Sequence, residues 1–162
     1  MILLILIISR FLHLLATVVW IGGMVMILLV ILPGAKRTLE PASVIGKLMK
    51  ELTKRFTPMA NLSILILIIA GFVLAHYEKN FTGFLNFDNS WNVVMFLKHF
   101  LVVLMIIVHF YRGLVLNPKI GRLSSKNDSR VVRLQKFSLY LVKTNLILGM
   151  IVLLLTGITS SL

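Results

Sequence analysis

Four runs of about 20 or more predominantly apolar residues, each long enough to cross a ~30 Å hydrocarbon core, constrain this chain more than anything else in it. They lie near 3–32, 58–77, 92–115 and 137–159 of 162 residues. The hydrocarbon offers no water to backbone N–H and C=O groups, so each run must satisfy its own hydrogen bonds. Long unbroken apolar runs do this as helices. The expected fold is therefore an all-α membrane protein, an up-down bundle of four transmembrane helices forming a single domain over 1–162. What remains is a basic linker near 33–57, a loop near 78–91 and a second basic linker near 116–136, too little for a separate soluble domain. The opening run Met1–Ile8 carries neither a basic flank nor a small-residue cleavage motif and reads as a retained part of the first span.

The net charge of +12 is concentrated in the two linkers. The first holds Lys36, Arg37, Lys47, Lys50, Lys54 and Arg55, the second Lys119, Arg122, Lys126, Arg130, Arg133 and Lys136, while the 78–91 loop has only Lys79. By the positive-inside rule both linkers are cytoplasmic and both termini extracytoplasmic, in a multi-pass protein of a prokaryotic cytoplasmic membrane. Within 36–56, Val44, Ile45, Leu48, Leu52 and Phe56 form an apolar stripe opposite lysines, the pattern of an amphipathic helix lying on anionic headgroups. The partner of this charge is the lipid bilayer, with no nucleic acid implied.

Pro33-Gly34 is expected to end the first span, Pro58 to sit in the first turn of the second, and Asn117-Pro118 to close the third. Asn145, Gly149, Val152 and Thr156 recur at helical spacing and read as a packing stripe. Trp20 and Gly22-Gly23 read as close-packing elements, Lys143 as a snorkelling cation, and Phe81, Phe84, Phe87 and Trp91 as an outer aromatic belt.

Chemistry inside the bilayer falls to histidine. There is no cysteine, which removes disulfides, thiolate metal sites and iron–sulfur clusters. None of the five carboxylates lies within a span, which argues against a carboxylate-driven transporter. An ionisable group in a span costs roughly 2.5–3.5 kcal/mol on insertion scales, so each is a functional candidate. His13 is in the first span, His76 ends the second, and His99 and His109 are in the third. Counted inward at ~1.5 Å per residue, His13, His76 and His99 share the outer half. Two imidazoles facing each other across a bundle can hold a b-type haem, and His13 and His99 meet the depth requirement. Arg10, one turn outward from His13, and Lys98 are then candidates for the haem propionates. Met95 lies one turn from His99, so copper bound by His13, His76, Met95 and His99 is the alternative, with Met24, Met59, Met105 and His109 continuing a soft-ligand path.

Arg10-Phe11-Leu12-His13 followed by Val19-Trp20-Ile21-Gly22-Gly23, together with Phe56-Thr57-Pro58-Met59, Leu97-Lys98 and the stretch from Asn145 to Leu155, resembles the CopD-domain membrane proteins. Their superfamily includes the HemJ-type protoporphyrinogen oxidases. The resemblance implies copper transport or resistance on one side. On the HemJ-like side it implies haem held by the first-span histidine and a third-span lysine, with a histidine eleven residues later, a spacing that Lys98 and His109 match. It also raises protoporphyrinogen IX oxidase as a further alternative, although that branch has an Asn-Glu pair in its last span where this chain has Asn145-Leu146. Eleven residues fall about 20° from a whole number of turns, so Lys98 and His109 share a face, and His99 points about 100° away. The sequence leaves the rotation of the third helix open between Lys98 and His99. The expected function is a b-haem electron-transfer protein with His13 and His99 as ligands. Quinol or another membrane redox subunit is the implied partner, with assembly as a homo- or hetero-oligomer left open.

Overall fold

The computed structural model describes residues 1–78, 89–124 and 129–161, and all regular structure among them is helical. Four helices are long and apolar enough to span a membrane: α1 (Ile2–Thr38), α2 (Ala42–His76), α3 (Ser90–Ser124) and α4 (Arg130–Thr159). They form two compact units, one containing α1 and α2, the other α3 and α4. Within the first hairpin Gly23 of α1 meets Phe56 of α2, and His13 meets Gly71. Contacts that move backwards along α2 as they move forwards along α1 define an antiparallel pair. The second hairpin pairs α3 with α4.

The helices run past their expected ends. Pro33 lies inside α1 and Pro118 inside α3, and Pro58 sits in the middle of α2, well beyond its first turn. A proline denies an N–H to the carbonyl four residues back, Leu29 for Pro33 and Leu114 for Pro118. Both carbonyls fall within π-helical turns, Met26–Ile31 and Tyr111–Leu116, where a carbonyl is met by the N–H five residues on. The wider turn carries the chain past the missing donor. The amphipathic stretch near 36–56 is accordingly no separate surface helix. From Ala42 on it is continuous with the second span through Pro58, whereas its first residues, 36–38, end α1, with 39–41 between. Its stripe is found in part: Ile45, Leu48, Leu52 and Phe56 are half-buried and Lys47, Lys50 and Lys54 exposed, but Val44, expected on the apolar side, is exposed as well.

Packing follows small residues. On α1 the inward line Ser9, His13, Ala16, Trp20 slips by one residue to Ile21, Met24, Leu28, because the π turn Val18–Gly22 inserts an extra residue. Against it α2 buries Ala60, Ser63, Ala70 and Ala75, side chains short enough to let backbones approach in lipid, together with the bulkier Ile64. A Cβ at Gly23 would overlap the Phe56 ring. On α4 the expected stripe is found in Asn145, Gly149 and Val152, joined by Ser138. Thr156 leaves it: its side chain is exposed, and Oγ1 donates to Val152 O at 2.8 Å. Trp91, expected in the interfacial belt, is buried instead; Phe81, Phe84 and Phe87 lie outside the described residues.

The two hairpins follow one plan. A shift of 85 residues superposes Phe11-Leu12 on Phe96-Leu97, Leu29-Val30 on Leu114-Val115, Pro33 on Pro118 and Arg37 on Arg122. The same shift carries the π turn Met26–Ile31 onto Tyr111–Leu116. It also pairs Trp20 with Met105, the two largest fully buried side chains, and Ala60 with Asn145, both buried.

Candidate metal-binding histidines

His99 sits half-buried on α3, and its Nδ1 lies 2.7 Å from the carbonyl oxygen of Met95 one turn back. A carbonyl oxygen only accepts, so Nδ1 carries the proton, and the ring is the tautomer whose Nε2 holds the lone pair. A donated second-nitrogen N–H of this kind is the usual partner of a metal-ligating imidazole. Met95 offers His99 its carbonyl, a main-chain contact that does not engage the Met95 thioether.

His13 is half-buried on α1, and a Cβ at Gly71 would stand 3.6 Å from its Cε1 and 3.9 Å from its Nδ1. A Cβ at Gly71 would thus be in ordinary contact with the imidazole, which places His13 against α2 at this position. Thr17 Oγ1 donates to the His13 carbonyl at 2.8 Å, which ties the turn beneath it. Arg10 is exposed, and Lys98 is half-buried.

The α-helical part of α3 is unbroken from Ser90 to Phe110, so the common face of Lys98, Met105 and His109 is real. Met105 and His109 on it are buried, and the His109 ring meets Phe110 edge-on at 5.4 Å. Arg112, one turn beyond His109, is half-buried within the π turn. His76 ends α2 exposed, its ring edge-on to Tyr77 at 5.0 Å.

Gly71 and Arg112 were not singled out from sequence. A glycine in an apolar run carries no mark until the residue facing it is known, whereas His109 followed three residues later by Arg112 was a legible signal of a polar face.

Among the described residues no group of three or more His, Asp or Glu side chains could hold a metal ion.

Residues 50–159, more than half of the chain, match the family described as copper resistance protein D, CopD. The chain belongs to the CopD family. With four apolar helices, this CopD protein is a multi-pass membrane protein. The match begins on α2, so His13 and the Trp20-Ile21-Gly22-Gly23 segment precede it. No curated protein and no solved structure matches the chain.

Proposed function

We propose that this CopD protein is a membrane-embedded electron-transfer protein that binds a b-type haem through His13 and His99, with the four helices acting as one domain and both termini outside the cytoplasm. The observation that supports the reading is the 2.7 Å contact from His99 Nδ1 to Met95 O, which orients the ring and sets its proton on Nδ1. The haem would supply a one-electron iron couple. The chain would hold its iron with His13 and His99 and exclude water with apolar helices, and Arg10 and Lys98 would offer cations to the propionates. Quinol or a neighbouring redox subunit of the same membrane would exchange the electron. The porphyrinogen-oxidase reading has no comparable support, since Leu146 stands where that branch has its acid.

Copper handling is the second reading, favoured by the family's own description. It would use the thioethers of Met24, Met59, Met95 and Met105 as soft ligands beside His13, His76 and His99. A reduced-minus-oxidised absorption spectrum of the detergent-purified protein from haem-replete cells, with metal analysis, separates the two. The haem reading expects a sharp α-band, lost in His13→Ala and His99→Ala. Absence of the band, with copper retained in a manner sensitive to His76, Met95 and His99, would replace it with the copper reading.

A further inference from the structure

The two hairpins share a second feature at their basic ends, far along α1 and α3 from His13 and His99. On the second hairpin a groove of about 590 Å³ is lined by Leu114, Val115, Pro118, Lys119, Arg122 and Arg130. On the first, a smaller groove of about 330 Å³ is lined by Leu29, Val30, Pro33, Gly34 and Arg37. The 85-residue shift maps these five onto Leu114, Val115, Pro118, Lys119 and Arg122, four of them identical in type. Grooves recurring at equivalent positions of two hairpins are a property of the plan, generated each time by a π turn followed by proline.

Each groove is chemically split. Leu114 and Val115 are 72% and 51% exposed and Leu29 and Val30 are 64% and 54% exposed, all four on π turns that present them outwards. One or two turns further on, the walls turn cationic, with Lys119 and Arg122 on α3, met by Arg130 at the start of α4, on the second hairpin and Arg37 on the first. An apolar seat passing into a cluster of cations over about 10 Å of helix matches an acyl chain joined to a phosphate, and basic pockets between helices at the membrane surface take such headgroups. Arginine adds a planar fork suited to phosphate oxygens.

We propose that the groove on the second hairpin is a specific site for one anionic phospholipid, its phosphate on Lys119, Arg122 and Arg130 and an acyl chain along Leu114 and Val115. The first-hairpin groove is a weaker copy, lacking the cation at Gly34. The proposal is independent of the haem reading, since no residue is shared.

Native mass spectrometry of the full chain, released from micelles containing equal amounts of dioleoyl phosphatidylglycerol and dioleoyl phosphatidylcholine, tests it. The expected result is preferential retention of one phosphatidylglycerol, reduced at least threefold in K119Q/R122Q, with G34K gaining a second bound lipid. Glycerol 3-phosphate at the same concentration should not displace the lipid, because it lacks the acyl seat. Equal retention of the two lipids overturns the proposal, as does undiminished phosphatidylglycerol binding in K119Q/R122Q. Displacement by glycerol 3-phosphate overturns it too, identifying a plain phosphate-ester site. Should K119Q/R122Q fail to fold, the single variant R122Q and the gain expected of G34K decide the matter.

Discussion

The first and second hairpins share a plan at their basic ends and diverge where the candidate chemistry lies. Leu-Val, proline, arginine and the π turn recur 85 residues apart, yet the matching inner positions have exchanged character. Trp20 stands opposite Met105 in the alignment, Met24 opposite His109, and His13 opposite Lys98, while the counterpart of His99 is Leu14, 64% exposed. The first hairpin closes on itself by size, with Phe56 over Gly23 and His13 against Gly71. The second closes through a polar bond, Asn145 Nδ2 to Met105 O at 3.1 Å, at the position where the first has Ala60. The two hairpins thus stay alike at their basic ends and differ in their middles, where the histidines lie.

The sharpest test of that contrast concerns the third-helix donor. Under the proposed function, His99→Ala abolishes the haem α-band as fully as His13→Ala, at least tenfold, while Lys98→Ala leaves most of it. The opposite result, loss in Lys98→Ala alone, would mean that the hairpins use equivalent positions and that the symmetry extends into the site.

Next in size is Gly23→Leu. Its side chain would enter the space of the Phe56 ring, costing about 1–3 kcal/mol as overpacking. Thermal unfolding in detergent should show the loss, and Phe56→Ala in the same chain should recover much of it, as expected of residues in direct contact. The equivalent pair on the second hairpin, Val108 and Leu141, contains no glycine, so Val108→Leu should cost less.

Asn145→Ala, which makes the second hairpin resemble the first, should have the smallest effect. Interhelical side-chain hydrogen bonds in membranes average about 0.6 kcal/mol, and Asn145 Oδ1 is buried with no hydrogen-bond partner among the described residues. A loss well above 2 kcal/mol would give Asn145 a role beyond packing.

Much of this architecture is legible in the residues. The four spans follow from apolar length, the amphipathic stretch before Pro58 from its stripe, and the common face of Lys98 and His109 from their spacing. Helix ends were misjudged at Pro33, Pro58 and Pro118 for one reason. In lipid a broken helix leaves polar groups unpaired, so the chain absorbs a proline and continues, where in water it would often stop. The internal repeat is hidden because Leu, Ile and Val matches arise readily by chance in apolar runs. It stands out only once the π turns and the grooves coincide at the same shift. At the histidines, the sequence supplied depth but not rotation, and the tautomer of His99 depends on a main-chain contact that composition does not encode.

The continuity of α2 through Pro58 has a mechanical meaning. A helix of 35 residues, roughly 50 Å long, exceeds the ~30 Å hydrocarbon core and has no loop at which to fold. Its basic end is therefore joined to its membrane part by helix alone, with Pro58, which leaves the Lys54 carbonyl without its N–H, as the point at which it can bend. A change of tilt of about 10°, the kind of response a helix makes to bilayer thickness, would sweep that end sideways by about 9 Å. The lysines of α2 would be carried with it, so the tilt of the membrane part sets where that charge lies.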